Sequence, residues 1–143
     1  VKGHYGSALL SGDIERKEEH RLLAGFLADI SEVDILLVPH HGRRTSSTED
    51  LIVAVNPEIS VVSAGYLNRF KHPHPEVVKR YAEHAVPLLN TAESGWISVH
   101  VDDQGIKAVP YRAVYRRYWL SKKNGPSTYR AVVPEKVLRD AER

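Results

Sequence analysis

Four of the chain's eight histidines fall in two short runs, His40-His41-Gly42-Arg43-Arg44-Thr45-Ser46-Ser47 and Asn68-Arg69-Phe70-Lys71-His72-Pro73-His74. A third run, Ser11-Gly12-Asp13, adds a carboxylate. An aspartate with imidazoles is the donor set of a hard-to-borderline divalent ion: neutral nitrogens, a carboxylate able to bridge, and polar groups nearby to orient both. Zinc or manganese suits it. Each run also has a plainer reading. Gly-Asp at a strand-helix turn is most often a helix N-cap. Adjacent histidines on an extended segment point to opposite sides, so one of His40 and His41 is expected to be structural. The His72-Pro73-His74 run can simply cap a helix that starts at Pro75. The coincidence of all three runs at one edge of a sheet is what favours a site over three unrelated features.

The segments between the runs supply such an edge. Residues 7–12 read as a short buried strand ending at the Gly12-Asp13 turn. A helix follows, because Leu22, Leu23, Phe26, Leu27 and Ile30 recur at intervals of three and four behind a polar stretch, 15–21. Residues 34–39 are an unbroken apolar run, the mark of a central strand buried on both faces of a parallel sheet. Ser46 and Glu49 are spaced as a capping box ahead of Leu51, Ile52, Ala54 and Val55. Residues 59–63 form a third strand, and Pro75 opens a helix whose apolar face is Val77, Val78, Tyr81 and Ala82. Beyond it, 86–90, 95–101 and 105–110 read as sheet-edge strands and hairpins. The fold class is α/β. Right-handed crossovers put the helices on a common sheet, and ligands bind where its strands end and loops lead into helices.

At 143 residues, with 42% hydrophobic and 27% charged residues, the chain has the make-up of one globular domain. A disordered tail, a coiled coil and a multidomain enzyme are excluded. The longest apolar runs are four or five residues, against the roughly 20 that span a bilayer. With no cysteine, disulfide frameworks, zinc-thiolate clusters and cysteine nucleophiles are excluded together. Nothing at the amino end resembles a signal peptide, and the absence of any methionine leads us to expect a piece of something longer. The net charge is only +2, yet no Asp or Glu occurs from Gln104 to Pro134. That stretch carries Lys107, Arg112, Arg116, Arg117, Lys122, Lys123 and Arg130 among Tyr111, Tyr115, Tyr118, Trp119 and Tyr129. Such a mixture is either a nucleic-acid surface or a solvated face.

Three ordered segments carry a resemblance: 9–15 (Leu-Leu-Ser-Gly-Asp-Ile-Glu), 34–42 (Asp-Ile-Leu-Leu-Val-Pro-His-His-Gly) and 62–73 (Val-Ser-Ala-Gly-Tyr-Leu-Asn-Arg-Phe-Lys-His-Pro). Over residues 7 to 101 the chain resembles the metallo-β-lactamase-like domain at the carboxyl end of the ComEC family of DNA-internalization competence proteins. By that resemblance Asp13 matches a bridging metal carboxylate, the His40-His41 pair a later histidine ligand, and Asn68 with His72 a signature beside the site that binds or protonates a phosphate. Arg43, Arg44, Thr45, Ser46, Ser47 and Arg69 then line its mouth. The family's H-x-H-x-D-H type motif is absent, and His4 is the only histidine ahead of Asp13. The resemblance therefore implies the second half of an αββα sandwich, strand-helix repeats followed by edge strands and hairpins. Residues 1–102 would be a partial domain and 103–143 a basic, aromatic segment.

In an intact parent the resemblance implies a metal-dependent phosphodiester hydrolase, nuclease-like, within an inner-membrane DNA-uptake protein, with this domain on the periplasmic side. Zinc or manganese, held partly by Asp13 and the histidine pair, would activate a water, and His72 or His74 would protonate the leaving oxygen. DNA and the rest of a larger membrane protein are the implied partners. This chain alone is expected to bind metal weakly or not at all and to be inactive. A second reading is a non-catalytic DNA-binding or docking module using Lys107, Arg112, Arg116, Arg117, Lys122 and Lys123; a third is a free-standing phosphoesterase of the same superfamily. A half-fold with an open sheet edge is also expected to self-associate, through the strands around Trp96.

Overall fold

Alternation of short apolar runs with amphipathic segments builds three strand-helix units in succession. In the computed structural model, which describes residues 1–114, these are β1 (Ala8–Leu10), α1 (Arg16–Ile30), β2 (Ile35–Leu37), α2 (Glu49–Val55), β3 (Ile59–Val62) and α3 (Pro75–Glu83). They lead into β4 (Leu88–Asn90), α4 (Thr91–Ser94), β5 (Ile97–Asp102), β6 (Gly105–Pro110) and α5 (Tyr111–Val114). Strands β1 to β4 pair in sequence order, all parallel, so the molecule is α/β as expected. β2 lies inside this sheet, in keeping with its unbroken apolar run.

Successive parallel strands joined by right-handed crossovers must carry their helices on one face. That face holds the larger core: Ile30 of α1, Leu51, Ile52 and Val55 of α2, and Val77 and Tyr81 of α3 pack over Leu36 and Val62. The register puts Leu9, Leu36, Ser60 and Leu88 in one row on the helix side. Ala8, Ile35 and Ile59 make a row on the opposite side, as do Leu10, Leu37, Val61 and Leu89. There a second core joins Ile59 and Leu89 to Ala108, with Ile35, Ile97, Val99 and Ile106 packed against it. The layers are therefore helices, parallel sheet and hairpin.

Several expectations change. β5 and β6 are not edges of the main sheet: they pair antiparallel as a separate two-stranded sheet, because their alternating apolar residues have a sheet face to cover. The edges of the parallel sheet are β1 and β4. The boundary placed at 102–103 falls in the turn of this hairpin. The cap of α2 is Thr48, which accepts from the Leu51 N–H at 3.4 Å, whereas Ser46 is fully buried and donates to the Pro39 and Arg43 carbonyls. Phe26 and Leu27 are exposed where the backbone of α1 departs from helical geometry at Phe26, and Ile30 beyond them lies in the core again. Among the described residues no helix is long and apolar enough to cross a membrane.

Candidate active site

The three polar runs do meet, at the carboxyl ends of β1, β2 and β3. The His40 N–H donates to the Gly12 carbonyl at 2.9 Å, tying the second loop to the first. The His74 N–H donates to the Gly42 carbonyl at 2.8 Å, tying the third to the second. Gly42 is required there: its φ is +77°, and a Cβ would stand 2.6 Å from the Pro73 Cβ. Asn68 closes the third loop on itself, its amide donating to the Gly65 and His72 carbonyls and its oxygen accepting from the His72 N–H.

The histidine pair does not sit on an extended segment. Pro39–Gly42 is a 3-10 turn in which His40 and His41 both adopt left-handed backbone angles, φ 48° and 57°. The two side chains consequently take different partners. His41 donates from Nδ1 to the Ser63 carbonyl at 2.7 Å. A carbonyl can only accept, so Nδ1 carries a proton and, in the neutral ring, the lone pair is on Nε2. That Nε2 lies 3.8 Å from Oδ1 of Asp13. Two donors each about 2.1 Å from an ion can stand at most about 4.2 Å apart, so the gap admits one. His40 turns instead to Glu15, its Nδ1 3.0 Å from Oε1 without hydrogen-bond alignment. Arg43 contacts the same Glu15 oxygen at 3.2 Å.

His72 is half-buried beside this pair, with Nδ1 enclosed and unpartnered. Burial, then the electrostatic influence of the neighbouring His40, His41, Arg43 and His74, lowers its imidazole below the usual 6.5 and favours the neutral form. His74 caps α3: its Nδ1 accepts from the Glu76 N–H at 3.2 Å. Arg44 pairs with Glu76 at 3.0 Å, Arg69 lies over the Phe70 ring, and the Thr45 carbonyl accepts from the Arg16 N–H. Ser46 and Ser47 are both fully buried, so their hydroxyls brace the loop and do not face its mouth. Of the carboxyl-terminal cations, Lys107 pairs with Asp102, and Arg112 donates to the Ala92 and Glu93 carbonyls. Arg116, Arg117, Lys122 and Lys123 lie outside the described residues.

Two supporting residues escaped the sequence reading. Glu19, wholly buried, accepts from the N–H groups of Ser47 and Thr48 at 2.7 and 2.8 Å. Arg80 donates to the carbonyls of Ser46, Ser47 and Arg44 from the other side. Glu19 hid in a polar run, although its spacing of three and four from Leu22 and Leu23, and eleven from Ile30, set it on the core face.

The chain is 38% identical over 118 residues to Competence protein ComA of Neisseria gonorrhoeae, a match covering 82% of this chain and 17% of that protein. It is a relative of competence proteins. It is also 37% identical over 94 residues to Recombination protein 2 of Haemophilus influenzae, covering 66% of this chain and 11% of the relative. With ComE operon protein 3 of Bacillus subtilis it shares 34% identity over 91 residues, 64% of this chain and 12% of the relative. The chain thus spans well under a fifth of the length of these relatives. No family model matches it.

Proposed function

We propose that this chain is part of a metallo-β-lactamase-like, metal-dependent phosphodiester hydrolase within a DNA-uptake protein of the ComEC type. The names of the relatives support the DNA-uptake setting, and one observation carries the chemistry: His41 Nε2 facing Asp13 Oδ1 at 3.8 Å, with Nδ1 tied to a backbone carbonyl. In this reading Asp13 and His41 are the ligands, because it is the His41 ring that lies against Asp13 while the His40 ring turns to Glu15. Among the described residues no group of three or more His, Asp or Glu gathers closely enough to hold an ion alone. Two donors fit part of a site, and the remaining ligands come from the rest of a longer parent. Zinc or manganese, when bound, supplies Lewis acidity and lowers the pKa of bound water.

The chain's own residues then do three things. Ser63 fixes the tautomer and ring angle of His41. Arg69 and Lys71, which make no ion pair among the described residues, draw the diester toward the loop edge. His72, whose lowered pKa favours the neutral ring, is suited to take a proton from the attacking water rather than, as expected from the sequence, to give one to the leaving oxygen. The setting that follows is an inner-membrane protein with this domain on its periplasmic side and DNA as substrate.

The test is metal titration and DNA cleavage by the full-length parent. Asp13→Ala and His41→Ala should each abolish metal binding and cleavage, a larger loss than the roughly 10- to 100-fold typical of residues that only orient a ligand, while His40→Ala keeps metal. Undiminished cleavage by Asp13→Ala sinks the proposal. A second reading, a module that binds DNA without cutting it, is favoured by the two-donor count. It predicts a parent that binds DNA yet neither takes up metal nor cleaves.

A further inference from the structure

The loop between β3 and α3 holds an arrangement that the metal-site reading does not use. Tyr66, Leu67 and Phe70 are 66%, 83% and 63% exposed. Burying one such side chain would gain about 1.5–3 kcal/mol, so large apolar groups gathered in solvent mark a contact surface. The loop is not loose. Three Asn68 hydrogen bonds pin it, and Leu67 and Lys71 are held at φ 53° and 55°. Its flat groups are already in contact: the Arg69 guanidinium is 4.6 Å from the Phe70 ring centre, and the His72 ring lies 5.8 Å away and within 17° of parallel. The Arg112 guanidinium is 5.7 Å from the Tyr66 ring.

Charge narrows the choice of partner. No carboxylate occurs between Glu58 and Glu76, while Arg69 and Lys71 point to no acid among the described residues. Exposed rings interleaved with uncompensated cations suit a polyanion that carries flat apolar faces. Duplex DNA hides those faces in its own stack; unpaired strands present them.

We propose that Tyr66 and Phe70 are a stacking platform for the bases of a single-stranded nucleic acid, whose phosphates lie along Arg69 and Lys71 at the mouth of the histidine site. The proposal rests on the reading of this site as one for a phosphodiester and names the form of its substrate. An incoming base adds to the Arg69, Phe70 and His72 group or displaces the guanidinium from the ring. Tyr66 takes a neighbouring base.

The experiment is a fluorescence anisotropy titration of the 143-residue chain in chelator, so that binding does not depend on a metal. The probes are a labelled oligothymidylate, an abasic oligomer of equal length and a duplex. The chain should bind oligothymidylate more tightly than either of the others. Phe70→Ala and Tyr66→Ala should each weaken oligothymidylate by about tenfold and leave the abasic oligomer unchanged, while Phe70→Tyr behaves as the parent. Arg69→Gln should weaken both single strands alike and flatten the salt dependence. Equal binding of oligothymidylate and abasic oligomer, no loss in either alanine variant, or no binding at low salt overturns the platform. Equal binding of duplex overturns the preference for unpaired strands. None of these outcomes bears on Asp13 and His41, whose failure would appear only in the metal and cleavage test.

Discussion

A single hydrogen bond separates the roles of two neighbouring histidines. His41 gives its Nδ1 proton to Ser63 and so presents Nε2 to Asp13, whereas His40 faces Glu15. Gly42, next in line, permits the approach of Pro73. Gly42→Ala should cost at least about 1–2 kcal/mol in urea unfolding from its positive φ alone, and more from the clash with Pro73. His72 gives the fold a pH dependence of known sign. Its folded pKa is lowered from 6.5, so the unfolded chain takes up the proton first as the solution is acidified. The stability it contributes is complete above pH 6.5 and is lost as pH falls from there through the lowered folded value. Urea midpoints measured across this window should fall on acidification, and fall less in His72→Asn.

Among the elements, the loop from Arg43 to Thr48 shows how a polar segment becomes rigid. Its N–H groups are met by Glu19 from α1 and its carbonyls by Arg80 from α3, so two helices hold it at the strand ends. Tyr81 adds its hydroxyl to Ser47 at 3.3 Å, and burial raises that phenol's pKa. Glu19→Ala leaves two enclosed N–H groups without partners and should destabilise by about 3 kcal/mol in urea unfolding. Glu19→Gln, which keeps one acceptor, should cost less. An unchanged midpoint in Glu19→Ala would mean that the clamp does not hold the loop.

For the whole molecule, the division into two cores matters most. The helix-side core is continuous through α1, α2 and α3, while the opposite face of the sheet is covered by β5 and β6. Ala108, 2% exposed, is the fully buried hairpin residue of the core it shares with Ile59 and Leu89. Ala108→Asp would bury an unpaired carboxylate there, a change that costs several kcal/mol. Hydrogen exchange should show β5 and β6 losing protection while β2 and β3 keep theirs. Equal loss in both would make the two layers one cooperative unit. Leu10, in the same sheet row as Leu37 and Val61, is 63% exposed beyond the hairpin's reach.

The strand-helix order, the parallel sheet and the three chemistry-bearing loops were legible because periodicity and strand-end placement are local properties of the chain. Asp13, the histidine pair and the Asn68 to His74 run could be singled out for the same reason. What the sequence left open was decided by long-range packing. Which of the two rings faces Asp13 depends on Ser63, 22 positions downstream of His41, and Glu15, 25 upstream of His40. Ser46 and Ser47 read as mouth residues because hydroxyls beside arginines suit a phosphate, but Glu19 and Arg80 draw that segment inward. The last strands read as edges and hairpins, and they do form a hairpin; alternation reveals that a strand has an apolar face, and only the tertiary fold reveals that this face covers the parallel sheet.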